Sequence, residues 1–307
     1  MRLLIVTINY NNAEGIRKTL ASVASQTYHN IEHIIIDGGS TDGSVDVIKE
    51  YADQCLMYDV LWVSEKDNGI YNAMNKGIEI ALGRRVVNDD HTSNITHNTS
   101  HKSLCDYVQI LNSGDILAAP DVTERMINTL STENAGILYG NMIRDFGNGK
   151  LSKDICLGDR VKSEELRAHE VEWTMDDFIK GTVNHDPTYI HRSLYEKYGL
   201  YDENLKICSD WKWFVNAIVY GGEKLHYVPI DVTIFDTTGI SETNLEFREK
   251  ERHAELEKML PAAILKDYDR YHFPIEQYKR LKKYHLWPIV YFMERVLFKL
   301  NKWGVLK

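Results

Sequence analysis

Leu3-Leu-Ile-Val-Thr-Ile-Asn-Tyr-Asn-Asn12 opens this chain as an apolar run that stops abruptly in polar residues. The same shape returns at Ile34-Ile-Ile-Asp-Gly-Gly-Ser-Thr-Asp-Gly-Ser44 and at Val108-Gln-Ile-Leu-Asn-Ser-Gly-Asp-Ile-Leu117. Short apolar runs bounded by turn residues read as buried strands, and an α/β sheet presents its binding crevice where such strands end. Between them lies Ser64-Glu-Lys-Asp-Asn-Gly-Ile-Tyr-Asn-Ala-Met-Asn-Lys-Gly77. Here Val60–Val63 predicts a short strand and Glu65–Gly69 a turn. Ile70, Met74, Ile78, Ala81 and Leu82 then recur at helical spacing, which predicts a helix with its apolar side on the sheet.

Together, in this order, the four segments resemble the inverting family-2 glycosyltransferases of the GT-A fold, among them bacterial enzymes of capsule, O-antigen and exopolysaccharide assembly. The likeness covers roughly residues 2–82 and 107–240. It implies an α/β fold with a mixed, mostly parallel sheet flanked by helices. Residues 1–240 would form the catalytic domain, with a nucleotide-sugar half over 1–117 and an acceptor half over 140–240. Residues 241–307 would form a helical, basic and aromatic C-terminal extension.

A nucleotide diphosphate sugar presents a base edge, a ribose diol, a pyrophosphate and an anomeric carbon, so its site needs acceptors, a cation and a base in sequence. Asp37, with Thr7 and Asn9 nearby at strand ends, suits a base N–H or ribose hydroxyl; an Asx-turn or a cap of the helix starting near Ser44 is the alternative. Asp67 stands at a helix start, as a donor contact or as an N-cap, and the resemblance adds Asn75 and Lys76 to the donor border. Asn112-Ser113-Gly114-Asp115 stands where the GT-A pattern has an Asp-x-Asp cluster. Only one carboxylate remains: Asp115 is the candidate ligand for Mn2+ or Mg2+, with Asn112 and Ser113 as oxygen ligands or ribose contacts, and a plain Ser-Gly-Asp turn is the other reading. The single carboxylate also motivates a different class, a catalytically degenerate GT-A domain serving as a membrane-associated assembly subunit.

Inverting transfer requires a group that deprotonates the acceptor hydroxyl. Asp210, in Ser209-Asp-Trp-Lys-Trp-Phe214, corresponds to the acid that relatives carry before an aromatic helix; as a helix cap it would instead set Trp211, Phe214 and Ile218 inward. His185 and Trp211 are acceptor candidates. The acceptor implied is a saccharide or a lipid-linked saccharide, and the donor a UDP-sugar. Residues 231–246 resemble the loop that relatives close over the donor diphosphate.

Composition agrees. At 307 residues with 43% hydrophobic and 10% aromatic content, the chain is of ordinary globular make-up. No stretch reaches the ~18–20 apolar residues of a membrane span, and no leader pattern precedes the first strand, which predicts a cytoplasmic protein. Cys55, Cys105, Cys156 and Cys208 are widely spaced and read as reduced thiols. Net charge is −9, yet residues 277–307 carry +7 and the rest −16. An acidic body argues against nucleic acid as a partner. The basic tail interleaves Trp287, Ile289, Tyr291, Phe292 and Phe298 on a helix expected to break near Pro288. That composition suits an anchor at the cytoplasmic membrane face; a helix packed on the body, or a homodimer contact, is the alternative. Residues 84–106 are polar and predict a mobile excursion; the sequons at Asn94 and Asn98 read as accidental, and His91, His97 and His101 fit no zinc spacing. No Gly-x-Gly-x-x-Gly follows the first strand and no Gly-x-Ser-x-Gly elbow occurs, which excludes the usual dinucleotide oxidoreductase and hydrolase patterns.

Overall fold

The computed structural model describes residues 1–85, 105–132, 135–147, 150–154 and 169–302. The histidines and sequons of the 84–106 segment, and Cys156, lie outside them. The N-terminal half alternates β1 (Leu3–Asn9), α1 (Ala13–Ala24), β2 (Ile31–Asp37), α2 (Ser44–Gln54), β3 (Asp59–Ser64), α3 (Ile70–Ala81) and β4 (Tyr107–Asn112). These strands are all parallel, in the order β3-β2-β1-β4. Burial explains their composition: every residue of β1 and β2 is buried, as expected for strands covered on both faces.

Local chemistry sets the helix ends. Asn12 caps α1 by accepting from Gly15 N at 3.0 Å, and Asp42 accepts from Ser44 N at 3.0 Å where α2 begins. On α1 the buried Ile16 and Leu20, and on α2 Val47, Ile48 and Ala52, close over Ile35, Val60 and Trp62. α3 lies closer to the sheet than a side chain permits: a Cβ on Gly77 would stand 2.3 Å from Val6 Cγ1.

The second half adds β5 (Ile116–Leu117), α4 (Val122–Thr132), β6 (Ile137–Asp145), β7 (Leu151–Asp154), β8 (His169–Val171), α5 (Met175–Lys180), β9 (Thr188–His191), α6 (Arg192–Tyr198) and α7 (Ser209–Phe214). A π-helix over Val215–Tyr220 and the long β10 (Leu225–Asp236) follow. β9 runs antiparallel between β4 and β6, and β10 joins β6 in parallel, giving a mixed and mostly parallel sheet. The first part of the 231–246 segment is therefore strand β10, and α8 (Ile240–Thr243) follows it.

The chain divides into two compact units after Arg248, within α9 (Leu245–Met259). The second unit continues through α10 (Ala262–Lys283) and α11 (Trp287–Lys302). The break between these two helices comes ahead of Pro288: His285 takes φ 57°, and Pro288 is the second residue of α11. A proline in the first turn removes no helical hydrogen bond, so it starts this helix and does not end one. Pro274 sits inside α10. Among the described residues no helix is long and apolar enough to cross a membrane.

Candidate active site

Strand register assembles the first wall of the site. Asn9 pairs with Asp37 and Asp37 with Ser64, while Ile8 pairs with Asn112, so four polar residues far apart in sequence meet at the strand ends. Beside them opens a cleft of about 700 Å3 lined by Asn9, Tyr10, Asn12, Gly38, Lys66, Asp67, Ile70, Asn112 and Ser113, among others.

Asp37 does not line this cleft. Its Oδ1 accepts from Asn9 Nδ2 (2.8 Å) and Ser40 Oγ (2.6 Å), and its Oδ2 from Gly39 N (3.1 Å), Ser40 N (2.9 Å) and Ser64 Oγ (2.7 Å). A carboxylate offers about four lone-pair sites, so this fully buried group is saturated by the protein and closes an Asx-turn. Thr7 is also turned inward, with its hydroxyl 2.8 Å from His33 Nε2. Asp67 does reach the cleft: Oδ1 accepts from Gly69 N at 3.0 Å, and Oδ2 lies where a Cβ on Gly38 would be, 2.5 Å from that point. Asn75 grips the backbone of Tyr201, accepting from its N and donating to its O, both at 2.9 Å. Lys76 is buried and paired with Glu65 at 2.7 Å. Both therefore brace the wall from behind.

Asp115 is 2% exposed; Oδ1 accepts from Asp236 N (2.9 Å) and Oδ2 from Asn112 Nδ2 (3.2 Å). Burial, and then the neighbouring Asp186 carboxylate, push its carboxyl well above the usual range. Asn112 is the hub of a chain of polar groups: Nδ2 also lies 3.2 Å from Asp186 Oδ1 and 3.2 Å from His185 Nε2. His185 Nδ1 in turn stands 3.1 Å from Asp210 Oδ2, and Tyr71 donates to Asp210 Oδ1 at 2.9 Å. Burial alone would lower the imidazole, but Asp186 and Asp210 outweigh it and raise His185 to about 9. Burial likewise opposes ionisation of Asp210, yet the bonds from His185 and Tyr71 prevail and hold its carboxyl below the usual range. The pair is thus an imidazolium and a carboxylate at neutral pH.

Asp210 does not cap its helix. Cys208 is the N-cap residue of α7, and the Asp210 side chain faces His185 and Tyr71. Trp211 is turned into the core, 1% exposed, with its indole N–H donating to Phe178 O at 2.8 Å, so it has no face for an acceptor. Phe214 and Ile218 are buried alongside it. Sequence reasoning passed over Tyr10, Lys66, Tyr71 and Asp186. Lys66, a cation in the turn ahead of Asp67, carried a local signal; Tyr71 and Asp186 carried none, because their partners are distant in sequence.

A mixed sheet with a cleft at its strand ends, lined by uncharged residues with one lysine (Lys66) and one acid (Asp67), is the arrangement in which α/β folds take their ligands. Residues 4–94 match glycosyl transferase family 2. The chain is 28% identical over 268 residues to an uncharacterized glycosyltransferase of Mycobacterium tuberculosis, spanning 84% of each protein. Its fold is similar to Staphylococcus aureus TarS 1–349 in complex with UDP, with TM-score 0.56, 16% identity, and coverage of 89% of this chain and 72% of that one. It is also similar to the mannosyltransferase PcManGT of Pyrobaculum calidifontis, solved with GDP-Man and Mn2+, with TM-score 0.50, 16% identity, and coverage of 76% and 56%. The chain thus carries a family-2 glycosyltransferase match over its N-terminal third, is similar along most of its length to glycosyltransferases, and has the GT-A fold.

Proposed function

We propose that this glycosyltransferase moves a sugar from a UDP-linked donor to a saccharide or lipid-linked saccharide, with inversion at the anomeric carbon, in the assembly of a cell-surface polysaccharide. The observation that carries this reading is the Asp210 carboxylate, held by His185 at 3.1 Å and joined through His185 and Asp186 to Asn112 on the wall of the cleft. Asp67 and Asn9 would take the base and ribose, and Lys66 would meet the diphosphate. Asp37 supports Asn9 from beneath. Asp210 then accepts the proton of the acceptor hydroxyl as that oxygen bonds to the anomeric carbon and the diphosphate leaves with its bonding electron pair. His185 keeps Asp210 ionised. UDP and UDP-GlcNAc complexes of TarS support a uridine donor.

Residues here fit a hard divalent cation. Asp115 is buried with a second acid beside it, and Asn112 Oδ1 is buried without a donor among the described residues, an oxygen set of the kind Mg2+ or Mn2+ takes. Among the described residues no cluster of three acidic, His or Cys side chains is arranged for a metal, so Asp115 with Asn112 would hold the ion, and donor oxygens would complete its shell. When bound, such an ion neutralises charge on the leaving diphosphate. EDTA-insensitive binding of UDP would refute this assignment.

The basic tail is proposed to hold the enzyme at an anionic membrane surface, where lipid-linked acceptors lie. Ile289, Phe292, Met293, Val296 and Leu297 of α11 are all exposed, with Arg295, Lys299 and Lys302 beside them. For the reaction itself, the test is Asp210→Asn. Its turnover should fall by about 10²–10⁴-fold with donor affinity little changed, and the product should show inverted configuration by NMR. Turnover within about threefold of wild type would transfer the base role to another group.

A further inference from the structure

Tyr71 has a place in the site that its sequence context does not suggest. It is 4% exposed, the second residue of α3, and its hydroxyl reaches Asp210 Oδ1 at 2.9 Å and Ile207 O at 2.6 Å across more than a hundred residues of chain. Helix geometry explains why this matters. Ile70 and Ala73 turn toward the cleft, whereas Tyr71 and Asn75, one turn apart on another face, both hold the segment that carries the base. Asn75 binds the backbone of Tyr201 and Tyr71 binds Ile207 and Asp210, while Asn72 adds an exposed bond to Glu203 at 2.8 Å. One helix thus forms a wall of the donor cleft and also grips the acceptor-side acid.

Each oxygen of Asp210 has a side-chain donor, His185 at Oδ2 and Tyr71 at Oδ1, and the backbone N–H of Trp211 also reaches the carboxylate, so these bonds restrain its rotation. The groups facing Asp210 are Tyr71 from α3, His185 with Asp186 behind it from the segment before β9, and Tyr201 after α6; Cys208, preceding α7, faces Tyr71. Of these, only His185 and Tyr71 make a hydrogen bond to the Asp210 side chain among the described residues.

We propose that Tyr71 is a positioning residue for the reaction: its hydroxyl fixes the Asp210 carboxylate in the orientation needed to receive the acceptor proton and ties that orientation to the helix walling the donor cleft. This rests on the reading of Asp210 as the base. The hydroxyl has a single proton, and an ionised Asp210 competes for it better than the Ile207 carbonyl does. Loss of the hydroxyl therefore has two effects, a looser carboxylate and a carboxylate that binds its own proton more tightly.

The experiment uses the full chain and the variants Tyr71→Phe, Tyr71→His and Asp210→Asn. The Asp210 carboxyl carbon, identified by its loss in Asp210→Asn, is titrated by NMR, and UDP release from UDP-GlcNAc and UDP-glucose into water is followed in parallel. In Tyr71→Phe the Asp210 titration should move up by about one pH unit, the worth of one hydrogen bond to a charged group. Its kcat should fall about tenfold, a fraction of the loss expected for removing the base, with donor KM within about twofold. Tyr71→His, which keeps a ring N–H donor, should recover part of the rate. An unmoved Asp210 titration in Tyr71→Phe overturns the proposal even where neither sugar nucleotide is turned over. So does a Tyr71→Phe rate equal to wild type, because phenylalanine keeps the packing of the ring and removes only the hydroxyl. Full turnover in Asp210→Asn would instead remove the reading on which the proposal rests, and the two failures are separable.

Discussion

Gly77→Ala is the sharpest test of how α3 seats on the sheet. The added methyl would lie 2.3 Å from Val6 Cγ1, 3.1 Å from Cγ2 and 3.3 Å from Cβ, and Val6 is fully buried in the middle of β1. Removing a glycine from a helix interior is worth about 1 kcal/mol in favour of alanine. Forcing an extra carbon into a packed core costs about 1–3 kcal/mol. At a 2.3 Å approach the upper part of that range applies, so the net expectation is a loss of about 1–2 kcal/mol, or roughly 2–8 °C in Tm. Val6→Ala alone should also destabilise, by about 2 kcal/mol or more, through its cavity. In the double variant the two offending methyls are gone and only the 3.3 Å contact to Cβ remains, so the losses should be less than additive by at least about 1 kcal/mol. Denaturant unfolding of the four proteins measures this directly. A Gly77→Ala protein more stable than wild type would mean that α3 sits farther from β1 than described. In the expected, destabilised case the pushed-out α3 would also move Ile70 and Ala73 in the cleft wall, so donor affinity should fall together with stability.

Gly38→Ala should displace Asp67, whose Oδ2 lies 2.5 Å from the new carbon, and weaken calorimetric UDP binding by about tenfold, or ~1.4 kcal/mol; unchanged affinity would remove Asp67 from the donor contacts. His33 is fully buried between Thr7 and Tyr51, and burial lowers it to about 3. Because the unfolded chain takes up this proton near pH 6.5 and the folded one does not, stability should be complete above pH 6.5 and decline as pH falls toward 3, by at most about 1.4 kcal/mol per unit. A His33→Gln variant with the same acid slope would assign that lability elsewhere. Phe292→Asp with Phe298→Asp, on exposed positions of α11, should abolish sedimentation with anionic vesicles, whereas added salt should only weaken it in wild type. Unimpaired sedimentation would sink the anchor, and a change from dimer to monomer by light scattering would assign the face to a second copy.

The sequence by itself determined the elements and their class. Apolar runs ending in Asn9, Asp37 and Asn112 became buried parallel strands, and the spacing of Met74, Ile78 and Ala81 became the buried side of α3, because period and turn chemistry are local properties. It also set the candidate residues Asn9, Asp37 and Asn112 at one end of the sheet. What each acid does there was decided by tertiary structure. Asp37 reads as an open strand-end acceptor until register brings Ser64 and Asn9 against it and leaves it no lone pair to offer. Asp210 reads as a base candidate that could also cap its helix until His185 and Tyr71 turn it away from the helix end, while Trp211, its neighbour, goes to the core. A side chain's protonation and freedom depend on groups within a few ångströms, and here those groups come from strands and helices up to 139 residues apart, a separation that only the folded chain removes.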